Sequence, residues 1–240
     1  MSSRFQAGYF DRVYTPVYDL TVAQLPAYQH LQSNGLARVS VFFGCEVLVV
    51  GSGTGNELLG LLQRPGGPFV SLTAVDLSRR SLVRASRKAR RQGKAVEVLQ
   101  MNVQRLAFVD GWFDRVLCLH TMDFLADPAV ATREMLRVLR KGGEFVISYP
   151  SGDGIGGVAA VAVRSVLEKL RRGKLTGALK EALASVGAAV AYAPLALSVK
   201  PQEVIYSRQE LEWLMASLEI SDYGIEEDGV YRDFIVWGRR

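Results

Sequence analysis

The sequence predicts a doubly wound α/β fold built on a mostly parallel sheet, and two observations carry this prediction. Between residues 46 and 149, short apolar runs alternate with helical patterns of roughly ten to fifteen residues, which is typical of βαβ units. One of these runs turns directly into a glycine-rich loop and a helix, VLVVGSGTGNELL. With 240 residues, 49% of them apolar, the chain is long enough to bury a large core.

Five strands are predicted in this first part of the chain. Each is a short apolar run bounded by glycine, proline or polar residues: EVLVV, FVSLTAVD, AVEVLQ, FDRVLCLH and EFVISYP. The helices between them are NELLGLLQR, which stops at PGGP, the arginine-rich segment 78–94, and PAVATREMLRVLRKGG. The last of these has Pro128 near its start and Gly142 past its end, the asymmetry expected at helix termini.

The pattern changes after residue 150, where we predict a helical insertion. The segment SGDGIGG reads as a flexible joint, and two helices rich in Ala, Val and Leu follow, separated near RRGKLTG. Next, SRQELEWLMASLE predicts a helix capped by Ser207 with Glu210, and ISDYGIEE and YRDFIVWG predict an antiparallel pair that brings the sheet to seven strands. The predicted division is a helical cap, a core in two pieces and an insertion: 1–45, 46–149 with 207–240, and 150–206.

Cysteine and histidine usage argues against two kinds of site. Cys45 and Cys118 form no Cys-x-x-Cys pair and sit in or beside apolar runs, so we expect neither a disulfide framework nor a zinc site, and a reducing cytoplasm fits best. The other histidine besides His120 is His30, so no histidine-rich metal site is expected. The N-terminal residues carry charges and no apolar run, which predicts no signal peptide.

Two stretches raise the question of a membrane. Residues 182–199 are uncharged, but they are alanine-rich and interrupted by polar, Gly and Pro residues, so we expect a buried helix and loop rather than a membrane span. Segment 78–94 holds eight basic residues and no acidic one, in a chain of net charge +5. Its arginines recur at helical spacing, which predicts either a solvated helix face or a patch for an acidic substrate, nucleic acid or an anionic membrane.

The glycine turn predicts a cofactor site. Gly51, Gly53 and Gly55 can adopt positive φ, and the helix that follows offers free N–H groups to a ligand. The dinucleotide fingerprint requires a sixth-position glycine, where this chain has Asn56. Asp76 ends the next predicted strand, where a carboxylate can accept hydrogen bonds from both ribose hydroxyls of an adenosine. The alternative is that Asp76 or Ser78 caps the basic helix.

At this point the sequence resembles a known family. The segments EVLVVGSGTGNELL, AVDLS, LQMNVQRLAF, FDRVLCLHTMDFLADP and EMLRVLRKGGEFVIS resemble, in order and spacing, the class I S-adenosylmethionine-dependent methyltransferases. The type 11 branch, which includes quinone-biosynthesis C-methyltransferases, is the most similar. The resemblance covers residues 46–149 and resumes over 207–238. It implies a Rossmann-like fold, S-adenosylmethionine as cofactor with S-adenosylhomocysteine as product, and methyl transfer.

The resemblance also implies roles for individual residues. The glycine turn would pass under the methionine and ribose parts of the cofactor, with Asp76 on the ribose. The remaining cofactor contacts implied by position are Ser52 in the turn, Leu77 against the adenine, Asn102 and Val103 at the adenine edge, and His120 near the methionine moiety. A Tyr-Asp segment near the N-terminus would close over the cofactor through Tyr14 or Tyr18. Two positions depart from the family pattern, because Val49 and Asn102 stand where many members carry acids.

Three roles stay open for His120: a catalytic base, a contact with substrate or cofactor, and a plain strand-end residue. The segment HTMDF replaces the Asn/Asp-Pro-Pro-aromatic stretch of enzymes that methylate nucleic-acid bases, which argues against a specific nucleic-acid substrate. The insertion lies where related enzymes cover their substrate, and its apolar and basic residues favour a hydrophobic or amphiphilic small molecule. Membrane contact through the segment 78–94 or the insertion is a further expectation. The competing interpretations are a non-catalytic binding or scaffolding relative and a nucleotide-dependent oxidoreductase.

Overall fold

The computed structural model describes residues 7–125, 127–151, 154–198, 205–230 and 233–240. Within them the chain forms one seven-stranded sheet in the order β3-β2-β1-β4-β5-β7-β6. Neighbouring strands from β3 to β5 are parallel, and β7 runs antiparallel to both β5 and β6. The predicted doubly wound sheet with an antiparallel last strand is therefore confirmed. The strands are β1 Glu46–Val50, β2 Ser71–Asp76, β3 Glu97–Gln100, β4 Phe113–Cys118, β5 Leu139–Tyr149, β6 Asp222–Glu227 and β7 Phe234–Arg239.

Helices cover both faces of the sheet and the edge where the cofactor is expected. The longer ones are α1 Pro26–Ala37, α2 Asn56–Leu62, α3 Arg79–Arg91, α4 Pro128–Val138, α5 Gly154–Arg171, α6 Leu175–Ser198 and α7 Arg208–Ser217. Short helical segments precede α1 at Phe10–Tyr14, Thr15–Tyr18 and Val22–Gln24, and others lie at Gly67–Phe69 and Met122–Phe124. α7 begins with the predicted capping box between Ser207 and Glu210.

The core has two halves, one on each face of the sheet. Along β1, Val47 and Val49 pack in one half and Leu48 and Val50 in the other, as the alternation of side chains along a strand requires. Each of these four side chains is almost completely buried. A parallel sheet covered on both faces explains why its strands read as continuous apolar runs.

The end of α4 differs from the prediction. The helix stops at Val138 rather than near Gly142, and Leu139 already belongs to β5. Leu139 pairs with Phe113, and the Gly142 N–H, at φ +73°, donates to the carbonyl of Arg240 at 2.6 Å. Pairing with β4 and with the C-terminal residue therefore overrides the helical preference of this segment.

The two helices predicted after residue 150 are present, and they form a hairpin with its turn at Arg172–Lys174. The expected joint SGDGIGG is helical from Gly154, while its residues 152 and 153 lie outside the described residues. The expected loop in 182–199 is wrong, because α6 continues without a break to Ser198, the last described residue of that stretch. None of the helices in the described part of the chain combines the length and apolarity needed to cross a bilayer.

Candidate functional site

The predicted cofactor residues meet at the carboxyl ends of the parallel strands. The glycine turn follows β1, Asp76 ends β2, and His120 follows β4. The strand order reverses between β1 and β4, because β2 lies on one side of β1 and β4 on the other. Crevices at such a reversal are where doubly wound sheets bind ligands.

The three glycines of the turn are required for different reasons. All adopt positive φ, at +62° for Gly51, +50° for Gly53 and +87° for Gly55. A Cβ on Gly51 would stand 2.0 Å from the Thr121 Oγ1 atom, and one on Gly55 would stand 2.8 Å from the Ala85 Cβ atom. Gly53 is different, since the nearest atom to its added Cβ would be a backbone oxygen at 4.0 Å. The turn is packed on both sides and open at its middle glycine.

Ser52, between the first two glycines, carries an unsatisfied polar atom. Its residue is 1% exposed, and its Oγ atom has no hydrogen-bond partner among the described residues. Its backbone N–H donates to the Val75 carbonyl at 3.1 Å, which fixes the turn against the end of β2. A buried hydroxyl without a partner costs about 1–3 kcal/mol, so a bound polar ligand would stabilise it.

Asp76 connects the glycine turn to the start of α3. Its Oδ2 atom accepts from the Gly53 N–H at 2.9 Å, and its Oδ1 atom accepts from the Ser78 N–H at 2.7 Å. Burial raises the pKa of this carboxyl to about 6. The cap of α3 is Ser78, whose Oγ accepts from the Ser81 N–H at 3.1 Å. Beyond these backbone contacts the Asp76 carboxylate retains lone-pair capacity for a ligand donor.

The residues expected around the adenine lie beside Asp76. The Met101 N–H donates to the Asp76 carbonyl at 3.1 Å, which holds the turn after β3 next to the end of β2. Asn102 is exposed, and its Oδ1 atom accepts from the Gln104 N–H at 3.0 Å within that turn. Val103 is 7% exposed and packs in the core, whereas Leu77 is half-buried. Val103 therefore faces the core, and the Asn102 oxygen is already engaged.

His120 lies in a strained, partly exposed position directly after β4, and both of its ring nitrogens are buried. Its φ is +53°, and its backbone N–H donates to Ser148 Oγ at 2.9 Å. Its imidazole stacks on the Tyr28 ring at 3.8 Å between centroids with an angle of 15° between planes. Burial lowers the pKa of His120 to about 3, so the ring is neutral at physiological pH. Because a general base works best with a pKa near the operating pH, this environment favours the contact role over the base.

Aromatic rings form a continuous cover over this edge of the sheet. The Tyr18 and Tyr28 hydroxyls hydrogen-bond to each other, and Tyr28 OH also donates to the buried Glu57 at 3.5 Å. Successive ring centroids lie 3.8–5.8 Å apart along the series Phe124, Phe10, Tyr14, Tyr18, Tyr28 and His120. Sequence reasoning selected the tyrosines at 14 and 18 but missed the phenylalanines and Tyr28. The four-residue spacing of the rings at positions 10, 14 and 18 is the sequence signal that could have revealed Phe10.

The segment before α1 is fixed to α3 by polar contacts. Asp11 accepts from the Ser78 Oγ at 2.6 Å and from the Arg80 N–H at 3.0 Å, so it adds a carboxylate to the N-terminus of α3. Arg84 donates to the Thr15 carbonyl at 2.7 Å. Some of the basic side chains of α3 therefore bind the segment that covers the site instead of facing solvent.

Lys88 makes the most of these contacts. Its Nζ atom donates to Asp19 at 2.8 Å, to Thr54 at 2.9 Å and to Asn56 at 2.7 Å. Thr54 in turn donates to the same Asp19 carboxylate at 2.6 Å. Asn56, the residue that departs from the dinucleotide fingerprint, thus serves to join α2 to α3.

Three acidic residues lie near His120, of which the sequence pointed only to Asp123, as a neighbour in sequence, and not to Asp228 or Asp233. Burial raises the pKa of Asp123 to about 6, and burial together with the Asp123 and Asp228 charges raises the pKa of Asp233. Asp228 is fully buried and accepts from the His30 ring at 2.9 Å, which fixes α1 to the turn between β6 and β7. No local pattern predicts this group, because Asp123 and Asp233 are brought to one edge only by the pairing of β7 with β5.

Comparison with known proteins identifies the domain. Residues 48–147 match the family model described as a methyltransferase domain, of the type 11 branch. This domain belongs to the class I S-adenosylmethionine-dependent methyltransferases. A solved S-adenosylmethionine-dependent methyltransferase from Aquifex aeolicus shares the fold, with a TM-score of 0.59 and 21% identity over 89% of this chain and 92% of that one. The family uses S-adenosylmethionine as methyl donor, and this assignment sets aside the oxidoreductase interpretation.

Two curated relatives illustrate the range of the family. The chain is 37% identical over 120 residues to a phosphatidylethanolamine N-methyltransferase of Cereibacter sphaeroides, covering 49% of this chain and 57% of that one. It is 27% identical over 146 residues to the chloroplastic 2-methyl-6-phytyl-1,4-hydroquinone methyltransferase 1 of Oryza sativa, covering 60% and 43%. The chain thus matches only about half the length of these relatives.

Proposed function

We propose that the protein transfers a methyl group from S-adenosylmethionine to a small amphiphilic acceptor. One observation carries the proposal: the open Gly53, the unsatisfied Ser52 hydroxyl and the Asp76 carboxylate lie together at the strand-order reversal. An open backbone approach, a polar atom without a partner and a carboxylate with free lone pairs are what a ribose-containing cofactor requires.

The described residues fit the cofactor. Ser52 and Gly53 would hold its methionine and ribose parts, Asp76 the ribose hydroxyls, and Leu77 with the Asn102–Val103 turn the adenine. Tyr18 would act through the aromatic cover rather than alone, since its hydroxyl is bonded to Tyr28. When bound, S-adenosylmethionine supplies an electrophilic methyl group.

The chain's own residues then have three tasks. The aromatic cover excludes water from the edge, and the fixed loops align the acceptor, which can lower a barrier by roughly 7–11 kcal/mol. His120, neutral and stacked on Tyr28, shapes the site beside the methionine part. Asp123, whose pKa burial raises to about 6, is the group at this edge best suited to accept a proton from the acceptor.

The amphiphilic acceptor is supported by the relatives and by the insertion. The names of both curated relatives specify methylation of molecules with a polar end and a long hydrocarbon part. The α5–α6 hairpin packs on the aromatic cover through the alanine side of α6, and it carries large apolar side chains together with basic ones on its outside. Buried, unpaired Cys45 and Cys118 agree with a cytoplasmic protein.

Calorimetric titration tests the cofactor assignment. We expect S-adenosylmethionine and S-adenosylhomocysteine to bind the protein and NAD not to bind. Gly53→Ala should weaken the binding strongly, because it strains a positive φ and places a methyl group at the open side of the turn. Gly93→Ala is the matched control, since Gly93 has φ +70° and open space around it but lies past the far end of α3. Equal losses in both variants would contradict the site.

A transfer assay tests the activity itself. With a labelled methyl donor, we expect label to enter phosphatidylethanolamine or a prenylated hydroquinone offered in mixed micelles, and Asp123→Asn to lower the rate more than the affinity for the cofactor. Cofactor binding without transfer to either amphiphile would favour the non-catalytic, scaffolding interpretation.

A further inference from the structure

Helix α6 is built with its small residues inside and its large ones outside. The side facing the protein consists of alanines and one acid, all at most 7% exposed: Ala178, Glu181, Ala184, Ala188 and Ala191. The opposite side is a row of leucines and valines that are 63–69% exposed: Leu175, Leu179, Leu183, Val186 and Val190. At about 100° per residue, this outer row spans only about 80° of the helix circumference. We call it the outer face of the hairpin.

The side of α6 opposite the outer face is firmly packed against the rest of the protein. Ala188 packs with Tyr18 and Tyr28 in the cluster under the aromatic cover. The buried Glu181 accepts hydrogen bonds from Lys169 at 2.5 Å and Ser165 at 2.9 Å, which joins α6 to α5. The hairpin is therefore held in place by its alanine side, and it presents the leucines outward. A helix surrounded by water carries polar residues on that side.

The companion helix α5 repeats the pattern. Val163, Leu167 and Leu170 recur at helical spacing and are 60%, 49% and 44% exposed. Contiguous exposed apolar surface of this kind marks an interaction site, since monomeric proteins rarely leave it to water.

The charges around the outer face decide which partner fits. The described part of the hairpin has one exposed acid, Glu168, and it is paired with Arg172. The exposed basic residues are more numerous, and three of the five lie at the turn: Arg164, Arg171, Arg172, Lys174 and Lys180. Apolar residues flanked by Lys and Arg, on a helix too little apolar to span, are typical of elements that lie in an anionic membrane interface.

We propose that the hairpin docks on the surface of an anionic lipid bilayer, with the outer face in the boundary of the acyl chains and the basic residues among the head groups. This inference rests on the proposed function in one respect. The aromatic cover packs on the inner side of α6, so docking would place it beside a source of amphiphilic acceptor. The lipid contact itself requires only the outer face and its charges.

Vesicle flotation tests the proposal. The unmodified protein should float with vesicles containing phosphatidylglycerol and phosphatidylcholine in about equal amounts, and at least about tenfold less with phosphatidylcholine alone. In the double variant Leu179→Glu/Leu183→Glu, the fraction of protein bound to vesicles should fall at least about tenfold, because two carboxylates would enter the apolar boundary. The matched control is Val109→Glu/Trp112→Glu, which adds the same charges at side chains 65% and 58% exposed before β4, and it should float unchanged.

Two further measurements keep the result interpretable. Arg171→Glu/Lys174→Glu, at the hairpin turn, should lose binding to anionic vesicles without touching the leucines. All variants should bind S-adenosylmethionine like the unmodified protein, which shows that they are folded.

Absent flotation of the unmodified protein would overturn the proposal. So would size-exclusion profiles in which Leu179→Glu/Leu183→Glu turns a dimer into a monomer, since the outer face would then be a contact between two copies. Flotation with no cofactor binding would instead overturn the proposed function and leave the membrane contact standing.

Discussion

Helix α3 and the α5–α6 hairpin are both rich in basic and apolar residues, yet the fold uses them in opposite ways. α3 buries Leu82, Ala85 and Ala89 against the sheet and directs Arg84 and Lys88 to acceptors in the segment that covers the site. α6 buries alanines and leaves its leucines and valines exposed. Two segments of similar composition therefore have different roles. The roles are distinguished by whether the large apolar side chains are buried, as in α3, or exposed, as in α6. One helix builds the site, and the other faces outward.

The largest effect that would test this contrast is on cofactor affinity at the start of α3. Asp76→Ala should weaken S-adenosylmethionine binding by at least about 100-fold, because two hydrogen bonds to a charged carboxylate, worth about 1.5–3 kcal/mol each, are lost. Titration calorimetry measures the change. Glu168→Ala, which removes an exposed carboxylate from the hairpin, should leave the affinity unchanged. An unchanged affinity in Asp76→Ala would remove Asp76 from the site.

The next effect is on stability and concerns the internal use of basic residues in α3. Lys88→Met should lower the free energy of unfolding by about 2 kcal/mol, because it leaves Asp19, Thr54 and Asn56 without a shared charged donor. Arg87→Met, on the neighbouring exposed position, should change it by less than about 0.5 kcal/mol. Urea unfolding followed by circular dichroism gives both values. Equal effects would mean that the Lys88 network adds nothing.

Much of this architecture was predictable because it is written in local patterns. The glycine turn, the acid at the end of β2 and the capping box of α7 are each determined within a few residues, and their outlines were confirmed in the structure. The end of α4 was missed because the pairing of Leu139 with Phe113 depends on residues far apart in sequence.

The candidate site was only partly predictable for the same reason. His120 was selected by its position after β4, but its stacking on Tyr28 and its low pKa follow from burial under a segment more than ninety residues away. Likewise, an apolar stretch in 182–199 indicates burial when read alone. Only the packing of its alanines against the aromatic cover shows that the leucines and valines are left outside.

Packing on the two sides of α6 sharpens the comparison at a smaller scale. Ala184→Leu should destabilise the protein by about 1–3 kcal/mol, because a residue 5% exposed has no room for three additional carbon atoms. Leu183→Ala, one position earlier on the outer face, should change stability by less than about 0.5 kcal/mol, since its side chain is 64% exposed. Thermal and urea unfolding of both variants would reveal the difference. The reverse order of effects would mean that the hairpin is turned the other way.

The smallest effect is a pH dependence that belongs to the α3 side alone. Burial raises the pKa of Asp76 to about 6, so the carboxyl of the free protein holds its proton up to that pH. Ribose hydroxyls donate to the ionised form and favour it, so cofactor binding releases this proton. Affinity should therefore be constant above about pH 7 and fall by up to tenfold per pH unit below about pH 6. Asp76→Asn should bind more weakly at neutral pH and lose this slope. Since Asp123 has a pKa of about 6 as well and remains in the variant, a slope that survives Asp76→Asn would assign the titration to the acceptor side of the site.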